Sequence, residues 1–285
     1  MSAVMSTAVR HPIIRIRFLL LRRISQLSIL MLFLLGPWYG IWFVKGNLSF
    51  SLTLDTLPLT DPFVLMQTVF AGHMPEQKAL IGVALVVGFY LLVGGRFFCS
   101  WVCPVNLITD LSAWLREKLR FPMRSALSSQ LRYWLLGVLL FACALTGTAV
   151  WEWLNPVSLF HRGLIFGFGA AWTVLLAVFL FDLLVVSRGW CGHLCPMGAF
   201  YSLLGVVRPL RINAVNRSQC DDCMDCFRVC PEPQVIQPAL KNGVDDKGTM
   251  VSSINCTNCG RCIDVCDQNV FKFSTGFANR MENLP

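Results

Sequence analysis

The sequence predicts an all-α membrane protein of four transmembrane helices with a small α+β tail that binds metal. Three observations lead there. Of 285 residues, 55% are hydrophobic and 14% charged, with mean hydropathy +0.60, too apolar for an ordinary soluble domain. Four apolar runs alternate with short basic stretches. Eight of the 13 cysteines fall between residues 220 and 266.

Residues 1–23 form a basic N-terminus with Arg10, Arg15, Arg17, Arg22 and Arg23 and no acid. Ile24 to Val44 carries no charge for 21 residues. That is the length of an apolar helix across a bilayer, so it predicts the first span. A cleaved signal peptide would have a shorter apolar core and a small-x-small site, and the residues around Arg22-Arg23 fit a twin-arginine signal poorly. Pro37 is expected to kink this span. Residues 45–78 read as an outer loop whose middle, 63–72, is apolar enough to dip into the membrane interface. The further spans are expected at 79–95, 133–154 and 163–187, with a turn holding Pro156, His161 and Arg162 between the last two. The membrane domain therefore covers 24–207, ending on an amphipathic piece at 200–207, and the tail domain covers 208–285.

Charge sets the orientation. The N-terminus, the 96–132 loop and the C-terminal region carry 5, 6 and 10 Lys/Arg, against 3 in the two opposite loops. The bias predicts a multi-pass membrane protein with both termini in the cytoplasm. The formal charge of +8 sits at the ends of apolar runs rather than on one face, which argues for a lipid bilayer and against nucleic acid.

The tail reads Cys220-x-x-Cys223-x-x-Cys226-x-x-x-Cys230-Pro231, then Cys256-x-x-Cys259-x-x-Cys262-x-x-x-Cys266. This duplicated spacing is the bacterial-ferredoxin rule for two [4Fe–4S] clusters. Three thiolates two residues apart wrap one cubane, and the fourth points away to close the other. Cys220, Cys223, Cys226 and Cys266 would hold one cluster, and Cys256, Cys259, Cys262 and Cys230 the other. Zinc also uses C-x-x-C pairs but does not account for two such runs. Thiolates clamped in this spacing suggest a reducing compartment rather than the disulfides of a secreted chain.

The membrane part carries its own repeat. Arg96-x-x-Cys99-x-x-x-Cys103-Pro104 matches Arg188-x-x-Cys191-x-x-x-Cys195-Pro196, 92 residues apart. Each follows a helical hairpin, so the bundle is expected to be two parallel two-helix repeats. Thiols at i and i+4 share a helix face. Two such pairs brought together could ligate a metal or a further cluster, or run dithiol/disulfide chemistry. The bland alternative is four small buried side chains, as for Cys143. Arg96 and Arg188 stand where helix ends and membrane orientation would put any arginine. His193 in the second motif has no counterpart in the first, where Trp101 stands.

Asp182 is the one carboxylate well inside a predicted span, a position that is usually functional or paired, with snorkelling towards the cytoplasmic face near Arg188 as the bland alternative. His73, Glu76, Glu152 and His161 are expected near the outer face, where they could take quinol protons or simply line loops. Trp38, Trp42, Trp114, Trp151 and Trp153 suit interfacial belts as well as a quinone pocket. The four histidines, His11, His73, His161 and His193, all fall outside the spans, which excludes a transmembrane b-type haem with histidine ligands. No C-x-x-C-H or G-x-G-x-x-G motif supports covalent haem or a dinucleotide. The ten methionines show no copper-site pattern.

Four spans, C-x3-C-P motifs at 99–104 and 191–196, and a C-terminal two-cluster run together resemble the NapH family, membrane iron–sulfur subunits of periplasmic nitrate reductase systems. The related NosR-like polyferredoxins have a larger, flavin-carrying outer domain, for which the outer loops here are too short. The resemblance implies an electron-transfer component of a quinol dehydrogenase module. It implies a place in the bacterial inner membrane and, as partners, a periplasmic NapG-like ferredoxin and a membrane c-type cytochrome that leads to nitrate reductase. A membrane docking platform with structural clusters, or a copper-handling oxidase-assembly polyferredoxin, are the alternatives. Asp267 after Cys266, where the first run has Pro231, departs from the family pattern.

Overall fold

The computed structural model describes residues 16–121, 127–167, 169, 171–240 and 249–275. The N-terminal arginines Arg10 and Arg15, and both chain termini, lie outside the described residues.

The chain opens with helix α1 (Arg17–Tyr39), which starts and ends earlier than the expected 24–44 span. Gly40, in the left-handed region at φ 72°, closes it by donating its N–H to Gly36 O. Pro37 falls in the last turn, so it helps to end the helix rather than kink its middle. An antiparallel meander follows: β1 (Val44–Gly46), β2 (Phe50–Thr53) and β3 (Leu57–Thr60). The expectation of an all-α membrane part is corrected here. Asn47 Oδ1 accepts from the amides of Ser49 and Phe50 and folds the first turn, while Leu54 and Asp55 take positive φ in the second.

Next come α2 (Pro62–Phe70), α3 (Gln77–Val93), α4 (Phe97–Trp101) and α5 (Val105–Lys118). The second half repeats this plan with α6 (Leu131–Thr146), α7 (Trp151–Leu154), α8 (Pro156–Phe166), α9 (Ala171–Leu184), a π turn at Trp190–Leu194 and α10 (Pro196–Leu204). The expected span at 133–154 is in fact two helices, because Gly147 caps α6 at φ 65°. The expected span at 163–187 is likewise broken, with α8 stopping at Gly167 at φ 88°.

The repeat is also richer than a helical hairpin. Asp61 caps α2 through Phe63 N, Asn155 caps α8 through Val157 N, and each is followed by proline at the first helical position. The sequences Asp61-Pro62 and Asn155-Pro156 thus start matching half-helices inside the bundle. Asp61 accepts the Tyr201 hydroxyl of α10 at 2.9 Å, and Phe63 packs on Phe200 at 5.4 Å. At its other end α2 approaches the turn after α6, where His73 Nε2 lies 3.1 Å from Gly147 O. What looked like a turn at 156–162 is the buried half-helix α8, with His161 edge-on to Phe33.

Hydrophobic and polar faces are reversed from those of a soluble bundle. Trp134, Val138, Phe141 and Leu145 line an exposed face of α6, and Trp172, Leu176, Leu180 and Leu184 one of α9. Ile81, Leu85, Phe89 and Leu92 do the same on α3, and Leu20, Ile24, Leu27 and Met31 on α1. Inside lie Arg22, Gln26, Gln67, Arg132 and Asp182, almost wholly buried. Among the described residues α1 alone is long and apolar enough to cross a membrane unaided, and α3, α6 and α9 are shorter apolar helices of 17, 16 and 14 residues.

In the tail, β4 (Leu210–Asn213) pairs antiparallel with β5 (Lys272–Thr275), closing the domain end to end. Between them lie the short helices α11 (Asp225–Val229), α12 (Gln237–Leu240) and α13 (Arg261–Val265). The tail docks directly on the bundle. Asp264 of α13 accepts from the Phe18 and Leu19 amides at 3.0 and 3.2 Å and so caps α1 from another domain. At Gly95 the α3–α4 corner presses on α10, and a methyl group there would overlap the Tyr201 carbonyl. Gly95→Ala is therefore expected to lower stability by about 1–3 kcal/mol. A melting temperature unchanged from wild type in detergent would contradict that packing.

Candidate functional site: three cysteine-lined cavities

Twelve of the 13 cysteines line three small cavities, four to each. All 13 are free thiols. Cys220, Cys223, Cys226 and Cys266 line one small space. Cys230, Cys256, Cys259 and Cys262 line a second. Cys99, Cys103, Cys191 and Cys195 line a third, within the bundle. The remaining Cys143 is wholly buried in α6, with Gln67 Oε1 4.0 Å from its sulfur, as a small core residue.

The local backbone explains these groupings. In each tail run the first cysteines lie on an irregular loop with residues in left-handed conformations: Asp222 and Met224 in one, Asn258 and Gly260 in the other. The loop curls so that its thiols face one space. A five-residue helix, α11 or α13, then carries the chain away, so that Cys230 and Cys266 reach the opposite cavity. Asp267, where the first run has proline, leaves Cys266 in its cavity wall.

The cavities suit a cluster better than a single ion. Four sulfurs around one zinc, each about 2.3 Å from it, would stand roughly 4 Å apart. Each tail cavity instead takes three thiols from one run and the fourth from the other, the donor set of two interlocked cubanes.

Arginines surround the second cavity. Burial pushes the Cys259 thiol up, but Arg261 and Arg22 outweigh it and hold it below its ordinary value. Arg208 donates to the backbone oxygens of Cys256, Val251 and Ser253. Burial, reinforced by the neighbouring sulfurs, pushes the Cys103, Cys191 and Cys195 thiols well up.

Two buried acids clamp the tail to the bundle. Glu232, two residues after Cys230, lies between Arg96 and Arg132. Arg96 also donates to Asn255 O at 2.7 Å and to Cys191 O at 3.0 Å. Asp110 of α5 gathers Arg22, Arg23, Arg188 and Arg261. The arginine that precedes each C-x3-C-P motif is thus a tie between domains, since Arg188 reaches Asp110 and the Val229 carbonyl. Sequence reasoning assigned these arginines to membrane orientation and overlooked both acids. The separations of 136 residues for Arg96–Glu232 and 151 for Arg261–Asp110 left no local signal.

Asp182 is buried and accepts the Trp190 N–H at 2.8 Å, anchoring the π turn that carries Cys191. His193 does not line the bundle cavity, whereas Trp190 does, with Trp151 stacked 6.3 Å away. Trp151 is therefore internal, while Trp38, Trp42, Trp114 and Trp153 are exposed. Glu152 bonds Ser158 and Asn155, and His73 and Glu76 are exposed.

Comparison with known proteins agrees with this arrangement. A family profile described as a 4Fe-4S binding domain matches residues 77–122 and again 168–213, and a 4Fe-4S dicluster domain matches 219–275. The chain is 50% identical over 261 residues to the ferredoxin-type protein NapH of Haemophilus influenzae, covering 92% of this chain and 91% of the relative. Its identity to the NapH of Escherichia coli is 48%, with 92% and 91% covered. Identity to the methylamine utilization ferredoxin-type protein MauN of Methylorubrum extorquens is 50%, with 89% and 88% covered. No solved structure matches. Full-length similarity, matched iron–sulfur domains and cysteine-lined cavities place this chain in the NapH/MauN family of ferredoxin-type iron–sulfur electron-transfer proteins.

Proposed function

We propose that the chain is the membrane-embedded electron-transfer subunit of a quinol dehydrogenase module, with two [4Fe–4S] clusters in a cytoplasmic tail. The observation that carries this reading is the pair of tail cavities, each walled by four free thiols drawn from both cysteine runs. Cys220, Cys223, Cys226 and Cys266 would hold one cluster and Cys230, Cys256, Cys259 and Cys262 the other. The clusters supply one-electron storage, which suits a quinol that releases its two electrons singly. The chain's own residues shape that storage. Cationic Arg22, Arg208 and Arg261 surround the second site and favour its electron-rich state. Cys223 is exposed and offers an edge for exchange with a partner.

The exposed apolar faces of α1, α3, α6 and α9 support a four-span membrane domain within residues 24–207, in a bacterial inner membrane with both termini in the cytoplasm. Partners would be quinol, a periplasmic NapG-like ferredoxin and a membrane c-type cytochrome serving nitrate reductase. MauN matches as well as NapH, so a methylamine utilization system is the second reading of where the electrons come from or go. Scaffolding of a partner iron–sulfur protein is the non-turnover alternative. The copper-handling reading, which predicts exposed Met or His ligand pairs, ranks last because the ten methionines are scattered along the chain.

Anaerobic purification followed by redox titration tests the proposal. Cys262→Ala is expected to remove about four of roughly eight tail irons and to abolish cluster reduction by a quinol analogue in the presence of the partner ferredoxin. Clusters reducible only far below quinol would favour scaffolding. An iron-free tail would end the proposal. Growth of deletion strains on nitrate or on methylamine separates the two destinations.

A further inference from the structure

We infer that the groove between α1, α5 and the tail is where quinol binds and is oxidised, on the tail's side of the membrane. The inference rests on the quinol dehydrogenase reading and adds to it the place of the site.

The groove holds about 600 Å³, a volume usual for small-molecule sites. Its walls are apolar: Leu19 and Leu20 from α1, Leu107, Leu111 and Trp114 from α5, and Val265 from α13. Residues 107, 111 and 114 stand at i, i+4 and i+7 and so share one face of α5. Leu111 and Trp114 are exposed there. Leu20 belongs to the exposed α1 stripe that continues through Ile24, Leu27 and Met31. The groove is therefore continuous with an apolar surface suited to lipid, and its occupant arrives from the bilayer rather than from water.

The inner end is polar. Arg23, Arg188 and Arg261 converge there on Asp110. Arg22 Nη1, 3.9 Å from Asp110, is buried with no hydrogen-bond partner among the described residues. Guanidinium donors suit the oxygens of a quinol and of the quinone it becomes. The charges that line the groove are nearly balanced, since the four arginines face Asp110, Glu117 and Asp264. Such a wall favours an uncharged head group over the phosphate of a lipid.

Position supplies the electron acceptors. Arg261 lines both the groove and the second tail cavity. Val229 and Val265, in the groove wall, immediately precede Cys230 and Cys266, which line the two tail cavities. Single residues thus separate the groove from both. Oxidation breaks the two O–H bonds of the quinol and leaves the quinone. Its two electrons go singly to the iron–sulfur acceptors of the tail. Its two protons go to water at the mouth of the groove, where Glu117 is an exposed carboxylate. His73, Glu76, Glu152 and His161, expected near the opposite face, do not line this groove. Quinol protons are therefore released on the tail's side, and the chain moves none outward.

The test is photoaffinity labelling of full-length, anaerobically purified protein in phosphatidylcholine nanodiscs, with an azido-quinone of short alkyl tail as the probe. Label is expected in the peptides that hold residues 19–23 and 107–117. Unlabelled quinone is expected to compete it away, and phosphatidylglycerol is not. Leu111→Glu and Leu20→Glu each put a carboxylate at an exposed point of the apolar wall. Each is expected to weaken probe binding at least about tenfold while cluster absorbance is kept. Leu111→Met is expected to bind as wild type. Label around residues 73–76 or 152–161, or glutamate variants that bind as wild type, overturns the site and leaves the quinol reading standing. Displacement by phosphatidylglycerol also overturns it and makes the groove a lipid site. Wild-type protein with no saturable label anywhere overturns the quinol reading itself, and the site with it. The wild-type label map decides even where a variant loses its cluster absorbance.

Discussion

Glu232→Ala should lower the stability of the docked protein by about 3–5 kcal/mol, the largest effect of any single substitution away from the cysteines. Glu232 is almost fully buried between Arg96 and Arg132, which are equally buried. Burial pushes its carboxyl up, but the two guanidiniums outweigh that and hold it below the ordinary glutamate range. Removal leaves two guanidiniums facing each other in a dry interface with no counter-ion. The loss is not confined to charge. Arg96 holds the Cys191 carbonyl and Arg132 the Gly192 carbonyl at 2.8 Å, so the second C-x3-C-P motif loosens with the clamp. Glu232→Gln keeps an acceptor and should lose less. The readout is the midpoint of thermal bleaching of cluster absorbance in detergent. A shift equivalent to under about 1 kcal/mol for the alanine variant would show that the pair is solvated in solution.

Asp110→Asn should cost a comparable amount, because one carboxylate answers four arginines. Arg261 lies at 2.7 Å, Arg188 at 3.3 Å and Arg22 at 3.9 Å, with Arg23 in direct contact. The substitution unpairs cations from α1, the α9–α10 connection and the tail at once. Its pH dependence has a definite sign. Burial pushes the Asp110 carboxyl up, but Arg261, Arg188 and Arg23 pull it far below the ordinary aspartate range. A carboxyl depressed on folding contributes stability above its unfolded value, near 4, and loses it as pH falls through the folded value. The gap in stability between wild type and Asp110→Asn should therefore be flat from about pH 8 to about pH 5 and narrow only below about pH 4. A gap that already closed between pH 7 and 5 would show that the arginines do not hold the carboxylate in its charged form.

These two clamps also mark the limit of sequence reading. The grouping of the eight tail cysteines around two cavities was legible, since three residues at a two-residue spacing are one short loop and the loop's geometry is local. The same holds for the matched C-x3-C-P motifs and for the apolar runs, although the helix ends were misplaced. Val44 was counted in a span because it is apolar, yet Gly40 had already ended the helix. Residues 147–154 were counted in another, yet Gly147 turned the chain. Those glycines were visible, and so were Asp61-Pro62 and Asn155-Pro156, each a cap followed by a proline start. Hydropathy averages over such signals, and in apolar surroundings it drowned them.

What the chain's order of residues carries alone is the chemistry: thiol donors in cluster spacing and apolar runs of membrane character. What only the folded molecule decided is company. Cys99 and Cys191 meet, Arg96 finds Glu232, and four arginines converge on Asp110, across 92 to 151 residues of chain. Ligand spacing within a loop is set by bond lengths and dihedrals of neighbours, so it is written locally. Contacts between distant segments are chosen by burial and charge neutralisation in an interior of low dielectric, which no window of sequence contains.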